Sequence, residues 1–362
     1  MAVFLYSLFY KNKLNFFKNY QRVIFLSYKL PRLLFRKQLS AVHKTYIPIN
    51  KTRMNYEKTL LATAILASLV SVTAQSATVY EQEGTTLDVG GRAEVRADFL
   101  GDDYEKVDGS ITDKSRARIN FSGVTRISEE LTGFGFMEYE IKDGESVTNR
   151  YLFAGFGTEA GKFSYGRQDT ANVQVSDMTD IASYHSGIQQ IFDASSDKES
   201  NTFLYSGSFA DALTVQANYT ASEVTDGDSF AISSLYAFDF GLDLAASYTD
   251  SESDETQTTL GAAYTLDNLY IAVTYAMGDI DADNDFRSIE AAIQYKFSKE
   301  FRMIGVIGQA EEADVDTQDF YAVEAQYRFN RSIRTYVSYA FNNLDNTVQT
   351  EDSLVAGIRY NF

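Results

Sequence analysis

The last nine residues, LVAGIRYNF (354–362), decide the fold. Every second position of this stretch holds an apolar or aromatic side chain: Leu354, Ala356, Ile358, Tyr360 and Phe362. In a β-strand such alternation places the two rows of side chains on opposite faces of the sheet. A strand that ends the chain with an apolar row and a bare aromatic residue indicates an apolar medium on its outer side.

The composition changes abruptly near Met54. Residues 1–53 hold eleven of the 32 Lys and Arg residues and no Asp or Glu, whereas from Ala77 onward 20 basic side chains stand against 49 acidic ones, a net charge of −29. Met54 begins a short polar head, the apolar run LLATAILASLVSV and the small residues TAQSA, which is the pattern of an export signal. We interpret 1–53 as a spurious N-terminal extension, 54–76 as a signal peptide and 77–362 as the mature domain.

The alternative for the extension is a basic targeting arm or nucleic-acid-binding arm. The acidic mature chain argues against nucleic acid as a partner, because binding to phosphates needs basic side chains. The chain has no Cys, which fits an exported protein that does not rely on disulfides.

The alternation of the last strand recurs from Val79 to the end of the chain. Examples are LDVGGRAEVRADFL, GFGFMEYEIK, LYIAVTYAMG and YAVEAQYRFN, separated by Gly, Asp, Asn and Ser. Tight connections such as TLDN and FSKE alternate with longer acidic ones such as GDIDADND and AEEADVDTQD. The 286 mature residues, at roughly 18 per strand and connection, give about 16 strands, an even number as in bacterial barrels.

A soluble β-sandwich also alternates, but two features favour a transmembrane barrel. Polar rows persist on every strand, so a packed interior would bury many Arg and Glu side chains at high cost. Aromatic residues cluster near strand ends, as in a membrane-interface girdle: Tyr264, Tyr275, Tyr295, Phe297, Tyr327, Phe329, Tyr339 and Phe341. Because every backbone group must be paired within hydrocarbon, we expect the first strand, near LDVGGRAEVRADF, to pair with the last.

With these stretches, the chain resembles a general porin of the Gram-negative outer membrane, closest to the porins of vibrios and related marine bacteria. The resemblance is carried by GGRAEVRADF, RARINFSGVTRISEELTGFGFMEYEIK, RYLFAGF, GKFSYGRQDTANVQVSDMTDIAS, NTFLYSGSF and VAGIRYNF. It implies an all-β protein: a homotrimer of 16-stranded antiparallel barrels with an inward-folded third loop, set among outer-membrane lipid and lipopolysaccharide. It also implies that Phe362, with Tyr360 before it, is the signal that the barrel-assembly machinery reads.

The implied function is passive diffusion of ions and small hydrophilic solutes, without catalysis or a cofactor. Two alternatives stay open. A substrate-specific channel would need an aromatic ladder along the lumen, and we expect none from the inward rows. A surface adhesin or anchor with a blocked lumen is compatible with the acidic loops.

Basic residues on the polar rows point to a charged pore. Arg92 and Arg96 share the polar row of the first strand, Arg116 and Arg118 that of the second, and further members are Arg150 on the fourth strand and Lys162 on the fifth. Together they predict a positive field on one wall of a water-filled tube. The longest segment without a strand pattern, residues 168–197, contains several aspartates and is long enough to suggest a function: Asp169, Asp177, Asp180, Asp193 and Asp197.

The porin resemblance assigns these residues to a constriction. Its basic side maps onto Arg92, Arg118, Arg150 and Lys198, and its acidic side onto Asp177 and Asp180; the lumen wall receives Arg96, Arg116 and Lys162. The loop departs from the common enterobacterial pattern, since it lacks Pro and a longer acidic-glycine motif. A structural alternative is that the arginines pair with the inward glutamates and hold the lumen rigid: Glu94, Glu138 and Glu140.

Catalytic and metal-binding patterns are weak. His185 is the one histidine after the leader, and a lone loop histidine indicates no catalytic pair. The stretch DIDADND has alternating aspartates but lacks the Gly and the Glu that an EF-hand loop needs. We therefore expect no enzyme activity and no metal site.

Overall fold

The chain forms a closed β-barrel. The computed structural model describes residues 76–99, 111–142, 145–344 and 352–362. Across these ranges, sixteen antiparallel strands pair in a ring, which confirms the predicted strand number. The predicted extension 1–53 and all but the last residue of the predicted signal peptide lie outside the described residues.

The barrel strands follow one another around the ring in chain order. They are β2 (Thr85–Asp98), β4 (Arg116–Arg126), β5 (Thr132–Lys142), β6 (Thr148–Thr158), β7 (Gly161–Gln168), β8 (Glu199–Phe209), β9 (Leu213–Thr220), β10 (Ser229–Ala237), β11 (Leu242–Ser251), β12 (Thr256–Leu266), β13 (Leu269–Asp279), β14 (Asp285–Lys296), β15 (Phe301–Glu312), β16 (Val315–Arg328), β17 (Ile333–Asn342) and β18 (Ser353–Asn361). Two short strands, β1 (Ala77–Gln82) and β3 (Thr112–Asp113), pair with β2.

The last strand closes the ring against the first barrel strand, as predicted. Val355 of β18 lies opposite Asp98 of β2, and Asn361 lies opposite Arg92. At the end of the seam, the N–H of Gly91 donates to the carbonyl of Phe362 at 2.9 Å. Closure leaves no open edge between these strands, which a hydrocarbon environment requires.

Alternate side chains of each strand point to opposite sides of the barrel wall. On β14, the side chains of Ser288, Glu290 and Ala292 are buried on the inner face, while Ile289 and Ile293 lie outward and exposed. The predicted girdle is also present as aromatic pairs on the outer surface, such as Tyr295 with Phe297, whose ring centroids are 4.8 Å apart. The outer surface is therefore an apolar band with aromatic margins, as in transmembrane barrels.

Several predicted acidic loops are shorter than the sequence suggested. In the stretch AEEADVDTQD, only Ala313 and Asp314 lie between β15 and β16, because the strands continue through the acidic residues on either side. Both turn residues have positive φ, 49° and 62°. Two consecutive positive φ angles match the tight turn that joins twisted antiparallel strands.

The segment between β7 and β8, residues 169–198, folds into the barrel interior and is called the constriction loop below. It contains a one-turn helix α1 (Val173–Ser176) and a short 3-10 helix (Asp193–Ser195). The predicted bounds, 168–197, are one residue early at each end. No helix among the described residues is long and apolar enough to cross a bilayer.

The constriction loop packs against the inner face of strands β11–β17, called the covered wall below. Val175 and Met178 contact alanines of β11, β12 and β13, and a second cluster joins Ile181 and Ala182 to small side chains further round. The wall residues are small or of medium size: Ala245, Ala263, Ala272, Ala292, Ile304, Val306, Ala322 and Ala340. Small wall side chains leave room for the loop to lie close to the sheet.

Candidate functional site in the barrel lumen

Strands β2, β4, β5, β6 and β18 carry a cluster of arginine and glutamate side chains on their inner face. This face is called the charged wall below. Strand register brings these side chains together: Arg92 lies opposite Arg118, and Glu94 lies opposite both Arg116 and Arg359. Arg92 and Arg118 are thus neighbours on adjoining strands, and Arg118 and Arg150 both contact Glu138 of β5, which lies between β4 and β6.

Arginines and glutamates of the charged wall form ion pairs. Arg116 Nε lies 2.9 Å from Glu94 Oε2, and Arg150 Nε lies 2.9 Å from Glu138 Oε1. Arg118 Nε lies 2.5 Å from a carboxylate oxygen of Glu140. The arginines therefore do pair with the inward glutamates, as the structural alternative in the sequence analysis had it.

Pairing does not neutralise the charged wall. Among the described residues, five arginines share three glutamates: Arg92, Arg116, Arg118, Arg150 and Arg359 with Glu94, Glu138 and Glu140. The excess of two positive charges supports a positive field beside the water-filled lumen. The same side chains can therefore brace the wall through ion pairs and also keep it positively charged.

The sequence reasoning missed Arg359. Its Nη2 lies 2.5 Å from Glu94 Oε1, and Tyr336 donates its hydroxyl to the same oxygen at 3.0 Å. The signal was present, because Arg359 alternates with the outward row of the last strand and that strand was expected to pair with β2. Combining the two expectations places Arg359 beside Glu94.

The three residues predicted for the lumen wall fall in different places. Arg116 belongs to the ion-pair cluster rather than to a separate wall region, since Glu94 and Glu140 both lie within 4 Å of its guanidinium. Arg96 donates from Nε to the carbonyl of Lys114 at 2.7 Å and lies 5.0 Å from the ring centre of Tyr184 in the constriction loop. Lys162 lies near the β6–β7 turn, opposite Gly157.

The carboxylates predicted for the acidic side lie on the constriction loop. Asp177 follows α1, Asp180 comes three residues later, and both side chains are exposed within the barrel. Asp180 accepts a hydrogen bond from Ser186 Oγ at 2.5 Å. Gly187, with φ of +89°, passes so close that an added Cβ would lie 3.0 Å from the Asp180 carboxyl carbon.

The surroundings of Asp177 change its acidity. The protein packed around it and the nearby carboxylates of Asp169 and Asp180 raise the pKa of Asp177 to about 7, and Lys198 opposes this shift. Both main causes disfavour the charged form of a carboxyl group. Asp177 therefore titrates close to neutral pH.

Lys198 and Asp169 hold the base of the constriction loop. Tyr151 donates its hydroxyl to Asp169 Oδ1 at 2.9 Å, and the backbone N–H of Lys198 donates to the same oxygen at 3.2 Å. Lys198 has a positive φ of 64°, and its ammonium pairs with the neighbouring Asp197. Burial, together with the charges of Arg150 and Arg118, lowers the pKa of the Lys198 ammonium to about 8, and the carboxylate of Asp169 opposes this shift. Lys198 is therefore close enough to both the charged wall and the loop to interact with each.

Two buried glutamates of the covered wall fix the tip of the constriction loop. Glu324 accepts hydrogen bonds from the N–H of Ser183 at 3.0 and 2.9 Å. Glu290 accepts from the N–H of Gly187 at 2.9 Å and from that of Ile188 at 3.2 Å. These contacts were not predicted, because backbone donors carry no signal in the sequence.

Aromatic side chains also face the lumen. Phe134 and Phe136 of β5 lie on the inner face, and the ring of Phe136 is 5.8 Å from Tyr151 and 5.6 Å from Phe153 of β6. Gly155 makes room for them, since an added Cβ would lie 2.8 Å from Phe134 Cζ. They form one cluster rather than a ladder along the pore.

The stretch DIDADND forms a turn. Asp281 accepts hydrogen bonds from the N–H groups of Asp283 at 2.9 Å and Asn284 at 3.0 Å. In the described part of the chain, no group of three or more His, Cys, Asp or Glu residues is placed to hold a metal ion.

Comparison with known proteins gives a consistent family. A profile described as Gram-negative porin matches residues 62–361. The chain is 32% identical to outer membrane protein U of Vibrio parahaemolyticus, an alignment that covers 84% of this chain and 100% of the relative. It is also 32% identical to porin-like protein L of Photobacterium profundum, covering 84% of this chain and 99% of that protein.

Solved structures show the same architecture. The chain superposes on Salmonella typhi OmpF, solved in complex with daunomycin, with a TM-score of 0.69 and 25% identity over 79% of this chain and 100% of the other. It superposes on the trimer form of Vibrio cholerae OmpT with a TM-score of 0.58 and 20% identity over 77% of this chain and 100% of the other.

Proposed function

Because the chain belongs to the family of Gram-negative porins and is thus an outer-membrane porin, we propose that ions and small hydrophilic solutes cross its lumen by passive diffusion. The lumen performs no catalysis and needs no cofactor or energy input. Selection acts on size and charge at the level of the constriction loop.

The observation that carries this proposal is the unequal charge of the two sides of the lumen. The ion-pair cluster of the charged wall has five arginines for three glutamates, and the constriction loop exposes Asp177 and Asp180. Opposite charges on opposing sides set a transverse field that orients polar solutes and disfavours apolar ones. We assign the basic side to Arg92, Arg118, Arg150 and Lys198, together with Arg359 from the last strand.

We infer a mild preference for cations, because carboxylates of the constriction loop share the narrows with the basic side chains. Charges on distant loops are screened beyond about 8–10 Å in physiological salt, so the groups at the narrows dominate. There the exposed carboxylates of the loop compete with arginines that are already paired. The test is the reversal potential of single channels in a planar bilayer under a KCl gradient; a reversal potential of the anionic sign contradicts the preference.

The oligomeric state and membrane insertion are also inferred from membership of the porin family. We propose a homotrimer in contact with outer-membrane lipid and lipopolysaccharide, inserted by the barrel-assembly machinery through the signal at Tyr360 and Phe362. The apolar outer band with its aromatic margins supports the lipid contact. Cross-linking of the protein in native outer membranes tests the trimer, and a monomeric product contradicts it.

The processing of the chain remains as interpreted from the sequence: translation from Met54, a signal peptide over 54–76 and a mature chain from Ala77. The family match, which begins at residue 62, supports a start near Met54. Mass spectrometry of the membrane-inserted protein tests it, since a peptide from residues 1–53 contradicts this reading.

A further inference from the structure

A cavity of about 600 Å³ lies between α1 of the constriction loop and the inner face of strands β5–β9. It extends towards the rim of short turns, where Glu159 and Gly161 border it. A volume of this size matches small-molecule sites, which range over about 300–1,000 Å³. Nothing in the diffusion of small hydrophilic solutes requires such a cavity.

One side of the cavity is aromatic. Phe134, Phe136, Tyr151 and Phe153 line it, with Leu204 and Val173 completing the apolar surface. Phe134 and Phe136 keep only 7% and 9% of their surface exposed, so the rings are held in place by packing. Fixed rings present faces and edges that a second ring can stack against, and their faces attract cations.

The other side of the cavity is polar and mainly acidic. Its charged lining consists, among the described residues, of Glu159, Asp169 and Asp177 against the single cation Lys162. Asp169 already accepts hydrogen bonds from Tyr151 and from the backbone of Lys198. Asp177 is exposed and therefore offers its carboxylate to a solute in the cavity.

We propose that this cavity is a binding site for small organic cations that carry a ring and a protonated amine. The ring packs against Tyr151 and Phe153, which are the half-buried rings of the aromatic cluster, and the ammonium pairs with Asp177 at its edge. The inference rests on the proposed function, since a solute reaches the cavity through the lumen. Bound solute narrows the passage beside α1 and reduces the ion current while it stays.

The test uses current blockade by three probes on single channels in 0.15 M KCl at pH 8, where Asp177, with a pKa of about 7, carries its negative charge. Phenethylammonium combines the ring and the charge, 2-phenylethanol keeps the ring alone, and ethylammonium keeps the charge alone. We expect phenethylammonium to block the current at concentrations about ten-fold lower than either control, because ring burial and ion pairing each add to affinity. Equal blockade by the three probes overturns the site.

Two matched carboxylate variants locate the charge. Asp177→Asn should weaken the blockade by phenethylammonium about five- to ten-fold, relative to the open current of the same variant. Asp193→Asn removes an exposed carboxylate of the same loop that does not line the cavity, so it should leave the blockade within two-fold of the unchanged protein. An equal loss in both variants means that the general field, rather than this cavity, attracts the probe.

A ring variant locates the aromatic contact. Phe153→Leu keeps an apolar side chain and should weaken the blockade by phenethylammonium while leaving that by ethylammonium unchanged. If this variant does not assemble, Leu204→Ala tests the same apolar surface. Titration calorimetry of phenethylammonium with the detergent-solubilised protein detects binding without any current, so absence of binding in a conducting channel refutes the site alone, whereas absence of conductance refutes the proposed function.

Discussion

The charged wall and the covered wall are built from the same alternating strands, yet they have opposite roles. The charged wall carries long arginine and glutamate side chains that meet one another across strands, as in the pair of Arg116 with Glu94. The covered wall carries small side chains such as Ala272 and Ala276, which are at most 1% exposed. Small inward side chains on the covered wall leave room for the constriction loop to pack against the sheet. Long charged side chains on the charged wall line the part of the lumen that the loop leaves open.

Removing the two glutamates that hold the loop should give the largest effect, because it separates the loop from the covered wall. In the double variant Glu290→Ala and Glu324→Ala, the N–H groups of Ser183, Gly187 and Ile188 lose their acceptors. Each unsatisfied buried donor costs about 1–3 kcal/mol, so we expect the loop to leave its seat in part of the population. Single channels should then show a larger and noisier open current.

Glu311→Ala provides the control for the double variant. Glu311 pairs with Arg287 at the exposed rim, 2.7 Å away, and holds no part of the constriction loop. Its removal should leave the open current quiet. Equal noise in both proteins would mean that Glu290 and Glu324 do not fix the loop.

Truncating one long side chain of the charged wall should give the next largest effect. Arg118→Ala removes a positive charge and a long side chain, so we expect higher conductance and a shift towards cations. The permeability ratio of K⁺ to Cl⁻ should rise by about two- to five-fold, since one charge at about 4 Å in water changes the energy of an ion by about 1 kcal/mol.

Arg287→Ala removes the same charge at the exposed rim and should change the ratio far less, because that site is wet and remote. Reversal potentials of both variants under one KCl gradient give the two permeability ratios to compare. Identical ratios in the two variants would show that the charged wall does not govern selectivity.

The pH dependence of selectivity sharpens the contrast between the loop and the arginines. With a pKa raised to about 7, Asp177 binds a proton as the pH falls from 8 to 6. Its negative charge is present above this range and lost below it, so the preference for cations should fall over this interval. Carboxylates with an ordinary pKa of about 4 do not titrate there.

Asp177→Asn is the decisive comparison for the pH effect. At pH 8 this variant should already have lost the part of the cation preference that Asp177 supplies. Between pH 8 and 6 it should change less than the unchanged protein, and the remaining change comes from Lys198, whose pKa burial lowers to about 8. If the unchanged protein keeps one selectivity down to pH 5, water in the lumen solvates Asp177 fully and its pKa is not raised.

The contact of Arg96 with the loop should give the smallest effect. Arg96 lies over the ring of Tyr184, and this cation–π contact joins the charged wall to the loop. An exposed cation–π contact contributes about 0.5–1 kcal/mol, so Arg96→Gln should change conductance by less than about two-fold. Lys114→Gln, on the adjoining segment, serves as the charge-matched control.

The fold was predictable because a period of two along a strand does not depend on the rest of the structure. The same rule also placed Arg92 and Arg118 inward. The pairing of the two end strands followed separately, from the need to satisfy every backbone group in hydrocarbon. It should have placed Phe134 and Phe136 in the lumen as well, since they alternate in one row with Glu138 and Glu140 in GFGFMEYEIK. The aromatic cluster was missed because its row was judged by its charged members alone.

The seat of the constriction loop could not be derived in this way. It depends on backbone N–H groups of Ser183 and Gly187 meeting Glu324 and Glu290, which are more than 100 residues away in the chain. Neither the donors nor their distance in sequence leaves a local pattern. Small inward residues on neighbouring strands, as in LAASY and GAAY, were the one available hint of a covered surface.

The seam between β18 and β2 joins two strands that are far apart in the chain. Arg92 of β2 lies opposite Asn361 of β18, and the fourteen other barrel strands lie between them in sequence. Until β18 pairs with β2, the sheet keeps two open edges, which are prone to aggregate. Because contacts between residues so far apart form slowly, we expect closure of the barrel to be a late step of folding.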